Sequence, residues 1–473
     1  MGSDVVKGGE LRENEWGEAL DAGRMRAEER RNAGPAGTGG RRRVKNGGSA
    51  SMKKCAARWG CLALSTISLL FLGTIYAWSI FREPLSRLFP GWSATRLSLP
   101  FTLSIIAFCG GSVFSGRTFS RWGSGRLFAL SAALLFVGFT GSALSLRPGR
   151  PDIALIALCV LYGILGGFGV GIGYNATMST VIRWFPDHPG LASGTLLMGF
   201  GVGGLVLGGA LDASIRSVGL SSTFLGSALV MAAILALDAL FVKRPGPGAL
   251  QGLRALAGTE TAAVPDVPPS RVLRRPLFWM LCLWLIFTNA GGLLVINSAA
   301  PIAVHFGLAS GMGLVVSLFN GFGRLFFGWA FDRLGSRAAF VLNSVVLLGA
   351  GVSLSLALEI RMAAPMFLGL SLVGLSYGGG PSISAPAAAA FWGTEHYAAN
   401  LSLVNCALIP AALLGPVIAS ALQERAGGGY GSTFLMLTLL GALALGGAVL
   451  LVLRLRRLEA GGGAASPCSE GER

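Results

Sequence analysis

The chain has 473 residues, 52% of them hydrophobic and 13% charged, with a formal net charge of +16. A soluble domain carries about 25% charge, so a water-soluble enzyme or adaptor is excluded. The cations sit in tails and short connections beside long apolar runs, which excludes a nucleic-acid-binding surface and matches the positive-inside pattern of a polytopic membrane protein.

Residues 1–58 are polar, Gly-rich and charged, lack an apolar face, and are expected to form a disordered cytoplasmic tail. Apolar runs of about 20 residues follow, each long enough to cross a bilayer. The first six cover 59–80, 97–116, 127–146, 153–182, 191–211 and 222–242. A Pro- and Gly-rich segment, 243–275, reads as a cytoplasmic linker. Six more cover 277–302, 309–331, 338–358, 364–392, 399–422 and 432–453, and 456–473 is a second cytoplasmic tail. The expected fold is therefore all-α, with twelve transmembrane helices in two six-helix halves, 59–242 and 276–455. With both termini inside, the inner connections and span flanks hold 18 Lys and Arg against eight outside. The cysteines and the three histidines form no metal-binding spacing, and no cofactor is expected.

Within the spans, Arg324 is the one Lys or Arg. A guanidinium at mid-bilayer costs roughly 2.5–3.5 kcal/mol on insertion scales, and it does not escape by losing its proton. Such a residue faces a bundle interior and meets an anion. Asn320, Arg324 and Gly328 share one helical face at i, i+4, i+8. Asn289 and Asn297, eight apart, are expected to line a polar cavity. Asp238 is the one carboxylate inside a span, and its closeness to Lys243 reads as an interfacial position.

Two connections echo each other 212 residues apart. One holds Gly116, Arg121 and Gly123; the other holds Gly328, Asp332, Arg333, Gly335 and Arg337. Gly173-Tyr174 in span four also echoes Ser376-Tyr377 in span ten. Repetition between halves is how many carriers place a site at the membrane midplane. The Gly-rich runs 166–171 and 199–204 lie inside apolar spans and read as close-packing surfaces, not as nucleotide loops.

The pattern Gly328-x-x-x-Asp332-Arg333-x-Gly335-x-Arg337 resembles the signature loop of the major facilitator superfamily, with Ser120 standing for the Asp in the first copy. The segments Tyr76-Ala77-Trp78-Ser79, Gly171-Ile172-Gly173-Tyr174, Asn297-Ser298-Ala299-Ala300-Pro301, Asn320-Gly321-Phe322-Gly323-Arg324 and Tyr377-Gly378-Gly379-Gly380 resemble the oxalate–formate antiporter and monocarboxylate transporter relatives within it. That resemblance implies the major facilitator fold and an alternating-access carrier of small organic anions. Arg324 would bind the carboxylate, with Tyr76, Tyr174, Tyr377, Asn320 and Asn297 around it. Oxalate carriers of this kind hold a second cation, a Lys in span eleven, but 399–422 contains no Lys, Arg or His. The proton-linked relatives have an Asp where Asn320 stands. A short monocarboxylate is therefore the expected solute, with the lipid bilayer as the other partner and the plasma membrane as the expected location. A carrier of a neutral or larger solute with a structural Arg324, and a carboxylate sensor that does not transport, stay open. No constellation for covalent chemistry is present, so the chain is not expected to be an enzyme.

Overall fold

The computed structural model describes residues 47–147, 149–246, 266–296, 302, 305–306, 314–415 and 429–462. It is helical almost throughout. The first six helices are α1 (47–88), α2 (94–122), α3 (124–145), α4 (151–184), α5 (Pro189–Val218) and α6 (Leu220–Phe241). The second six are α7 (Pro276–Ile296), α8 (314–334), α9 (336–360), α10 (Ala363–Trp392), α11 (Tyr397–Gly415) and α12 (Gly431–Gly462). Helix α1 starts at Gly47, earlier than the predicted span, and passes through a 3-10 turn at Gly73–Ala77. Helix α4 contains a π-helical run, Leu158–Gly166. The tail before Gly47 and the linker residues 247–265 lie outside the described residues.

The echoed connections mark where single long helices break. Gly123 and Gly335 have φ of +75° and +81°, a region that a residue with a Cβ avoids. Each turns the chain sharply, so α2 and α3, and likewise α8 and α9, become neighbouring spans.

Glycines bring paired helices to backbone contact, and the two halves do so alike. A Cβ on Gly167, Gly171 or Gly111 would overlap the carbonyl oxygens of Ser104, Phe108 and Phe168, which fastens α2 to α4. A Cβ on Gly374, Gly378 or Gly323 would overlap those of Val316, Asn320 and Leu375, fastening α8 to α10. Helix α8 repeats α2 at an offset of 212 residues (Gly111 to Gly323). Helix α10 repeats α4 at 207 (Gly171 to Gly378). This register corrects one expectation. Tyr377 answers to Val170 and Tyr174 to Pro381, so the two tyrosines are not repeat mates.

The halves meet at the end of the bundle that carries the signature loop. Both Asp332 oxygens accept the first free N–H groups of α5, from Gly190 (2.8 Å) and Leu191 (2.7 Å). A carboxylate there satisfies orphan donors and complements the helix dipole. Arg183 donates to the carbonyl oxygens of Thr394 (2.7 Å) and Glu395 (3.1 Å). Asn175 donates to that of Ala398 at 3.0 Å. In the first loop copy Ser120 is exposed, and it is Asp266, at the end of the linker, that accepts the Glu395 N–H (2.8 Å).

Lipid supplies no hydrophobic drive between helices, so these close crossings carry the packing. Gly374→Leu is expected to destabilise the detergent-solubilised protein by about 1–3 kcal/mol through overpacking, read as a lower thermal midpoint. Gly226→Leu, on an exposed face of α6 with nothing within 4 Å, should leave that midpoint unchanged. Equal midpoints for both variants would contradict the packing account.

Candidate functional site

Arg324 lies on α8, one turn from Asn320 and one from the Gly378 crossing. Its side chain is 3% exposed. The Asn320 Oδ1 accepts from its Nε at 3.2 Å, and the Leu197 carbonyl oxygen of α5 accepts from its Nη1 at 2.7 Å. That second bond spans the two halves. It needs Gly201, because a Cβ there would stand 2.5 Å from the Arg324 Nε. None of the ion pairs among the described residues includes Arg324. The charge is therefore buried, held in place by neutral acceptors, and left without a counter-ion. A guanidinium has five N–H donors, so the two bonds leave capacity on the side that faces the cavity.

That cavity is small, about 40 Å³, and is built by both halves. Phe108 (α2), Tyr174 (α4), Leu197 and Phe200 (α5) wall one side; Leu285 and Asn289 (α7), Arg324, Tyr377, Pro381 and Ser384 (α10), with Asn405 and Leu408 (α11), wall the other. The Tyr174 ring packs against Phe108 and Phe200, each with centroids 5.2 Å away, and its hydroxyl faces the Asn405 side chain. The Asn289 Oδ1 is buried and has no protein partner among the described residues, while the Asn405 amide lies beside the Tyr174 hydroxyl. One cation, the amides of Asn289 and Asn405, and aromatic walls thus converge on one small space. In a medium of low dielectric a fixed charge acts strongly on a solute of opposite sign.

Of the sequence-predicted residues, Arg324, Tyr174, Tyr377 and Asn289 line this cavity, and Asn320 orients the guanidinium. Tyr76 lies in the 3-10 turn of α1 and its side chain is outside the described ones; Asn297 also lies outside the described residues. Gly328, Asp332, Gly335, Gly116 and Gly123 sit at helix breaks and crossings away from the cavity, while Arg121 and Arg333 are exposed. Asn405, Ser384 and Phe108 were not singled out, and Phe200 and Gly201 were read only as part of the close-packing run 199–204. Nothing in a uniformly apolar run tells which face turns inward, although the polar Asn405 in span eleven was a usable sign.

A second cavity, about 200 Å³, lies between α1, α5 and α6, lined by residues such as Phe71, Leu211, Thr223 and Met231. Although larger, it has no ionisable side chain on its walls. It offers nothing to hold a charged solute.

Comparison with known proteins follows the same lines. The family model described as Major Facilitator Superfamily matches residues 58–408. The "Oxalate:formate antiporter" of Oxalobacter formigenes is 28% identical over 85% of this chain and 93% of its own length. The "Uncharacterized MFS-type transporter YhjX" of Escherichia coli (strain K12) is 26% identical over 73% of this chain and 84% of its own. Among solved structures, the proton:xylose symporter XylE superposes with a TM-score of 0.67 at 16% identity, covering 86% of this chain and 96% of that one; at that identity it speaks for the fold alone. With the match spanning most of the sequence and all twelve helices arranged as two repeated halves, the chain belongs to the Major Facilitator Superfamily and is a multi-pass membrane transporter.

Proposed function

We propose that the chain is an alternating-access carrier of short monocarboxylates, with Arg324 as the group that binds the carboxylate. The observation that carries this reading is the buried guanidinium, without a counter-ion among the described residues, at a cavity built by both halves. An unpaired buried charge is costly, and an anionic solute removes that cost while it is bound. Asn289 and Asn405 supply one acceptor and one donor for the remainder of the solute, and the aromatic walls keep water out. The small cavity favours a solute of a few heavy atoms. The likeness to an oxalate:formate antiporter supports small organic anions as the class. Both tails and the 243–275 linker are taken as cytoplasmic on the cation bias, and the plasma membrane is the proposed location.

Contacts at the signature-loop end close the cavity toward that side. Transport then requires the Asp332, Arg183 and Asn175 bonds to part while contacts form at the other end. Such bonds are modest singly, each about 1–3 kcal/mol where a charge takes part, which suits an equilibrium that a solute shifts.

One observation favours a second reading. The Arg324–Leu197 bond crosses the halves, so the guanidinium also serves a neutral-solute carrier as a structural tie. Arg324→Gln separates the two. Under the carboxylate reading, uptake in proteoliposomes falls at least about thirtyfold, in line with the 2–5 kcal/mol lost when one partner of a buried charged pair is removed, with the thermal midpoint little changed. Arg324→Lys restores uptake poorly, because the planar fork is lost. A lower midpoint with carboxylate uptake unchanged would favour the structural tie.

Charge number gives another test. With one fixed cation, the second carboxylate of oxalate would be buried without a partner. A short monocarboxylate should therefore compete with labelled substrate far better than oxalate does at neutral pH. Asn405→Lys, which places a cation on the α11 wall, should shift the preference toward oxalate. Stronger competition by oxalate in the unmodified protein would overturn the monoanion assignment.

A further inference from the structure

Asp238 of α6 is not part of the central cavity wall. Its place near Lys243 had implied an exposed position, but the side chain is 0% exposed, and the donor that faces it is the Ser68 hydroxyl of α1. One face of α1 lies opposite, where Cys61, Ser65 and Ser68 follow one another at i, i+4 and i+7. Ser65 is fully buried with its hydroxyl beside the Cys61 thiol, and the Ser68 hydroxyl also lies 3.1 Å from the Leu64 carbonyl oxygen.

The charged or titratable groups on the surrounding elements include Arg58 and Cys61 of α1, Asp187 and His188 in the 185–188 connection (3.9 Å apart), Arg126 of α3, and Lys243 and Arg244 after α6. None of them compensates Asp238. Arg58 grips both Asp187 oxygens (2.6 and 2.7 Å) and lies over the Phe185 ring at 4.1 Å. Arg126 and Lys243 are exposed. Arg244 donates to the Phe119 carbonyl oxygen and covers that ring at 3.9 Å. Leaving a bare carboxylate in such a place costs so much that the neutral acid is the form these surroundings accept.

A continuous set of contacts joins this acid to the closure of the halves. Cys61 and Arg58 are one turn apart on α1; Arg58 holds Asp187; His188 and Pro189 follow; and Gly190 and Leu191 are held by Asp332 of the opposite half. Parting of the halves at this end releases the start of α5 and with it the Arg58–Asp187 grip.

We propose that Asp238 is a proton-binding site that couples solute movement to proton movement, loaded while the signature-loop end is closed and discharged when it opens. On discharge the carboxyl O–H bond breaks, the proton passes to water on the signature-loop side, and the freed Arg58 stabilises the carboxylate that remains. The coupling rests on the carboxylate-carrier reading; the proton site does not.

Two measurements on the purified full-length protein in liposomes test it. Infrared spectra at neutral pH should contain the C=O stretch of a neutral carboxylic acid, removed by Asp238→Asn and shifted by Asp238→Glu. This readout needs no solute, and absence of the band from the wild-type protein overturns the site whether or not the variants fold. With formate or pyruvate as probe, Asp238→Asn should retain counterflow but lose accumulation driven by a pH gradient by about tenfold or more, within the usual range of coupling between sites. Unchanged gradient-driven accumulation in that variant, or accumulation driven by a sodium gradient at fixed pH, overturns the coupling. The band without any carboxylate flux supports the site and contradicts the carboxylate reading instead.

Discussion

A single fixed positive charge, buried where two six-helix halves meet, is the constraint to which the surrounding structure answers. Arg324 has no ion-pair partner among the described residues. Its burial is tolerable because Asn320 and the Leu197 carbonyl oxygen each accept a hydrogen bond from it. Gly201 and Gly378 are glycine because the guanidinium and the α8 backbone occupy the space a Cβ would need. The binding surface and the helix crossings are thus one arrangement.

The halves repeat the same packing and differ where chemistry enters. Gly111 and Gly323, Gly171 and Gly378, and the left-handed Gly123 and Gly335 are equivalent pairs. At the position equivalent to Arg324, α2 carries Ser112, which accepts from Asn175 at 3.2 Å. At the position equivalent to Asp332 it carries Ser120. Both charged devices, the guanidinium at the cavity and the carboxylate on the start of α5, therefore belong to the second half. The two halves are matching scaffolds, and polarity on one of them makes the cavity asymmetric.

Much of this was legible in the sequence, because the bilayer imposes length and apolarity on every span and makes each ionisable residue conspicuous. The twelve spans and Arg324 were read from those signals, and Gly123 and Gly335 from the echo between the two connections. Tyr174 and Tyr377 reach the same cavity, but the sequence echo paired them in the wrong register, since a small residue before an aromatic one recurs by chance in Gly- and Ser-rich helices while backbone crossings do not. Asp238 was misread because five residues from Lys243 is close along the chain, whereas α6 turns that side chain toward α1. The cavity faces contributed by Phe108, Phe200 and Ser384 left no trace, because an apolar span has no polar face to mark its inward side.

The most direct test of Arg324 as the carboxylate-binding group is a structure of the protein with bromoacetate bound, the bromine located by anomalous scattering. The carboxylate is expected within hydrogen-bonding distance of the Arg324 guanidinium, in the cavity shared by Asn289 and Asn405. Bromoacetate in the α1–α5–α6 cavity, with Arg324 still bonded to Asn320 and Leu197 and to no solute, would contradict it.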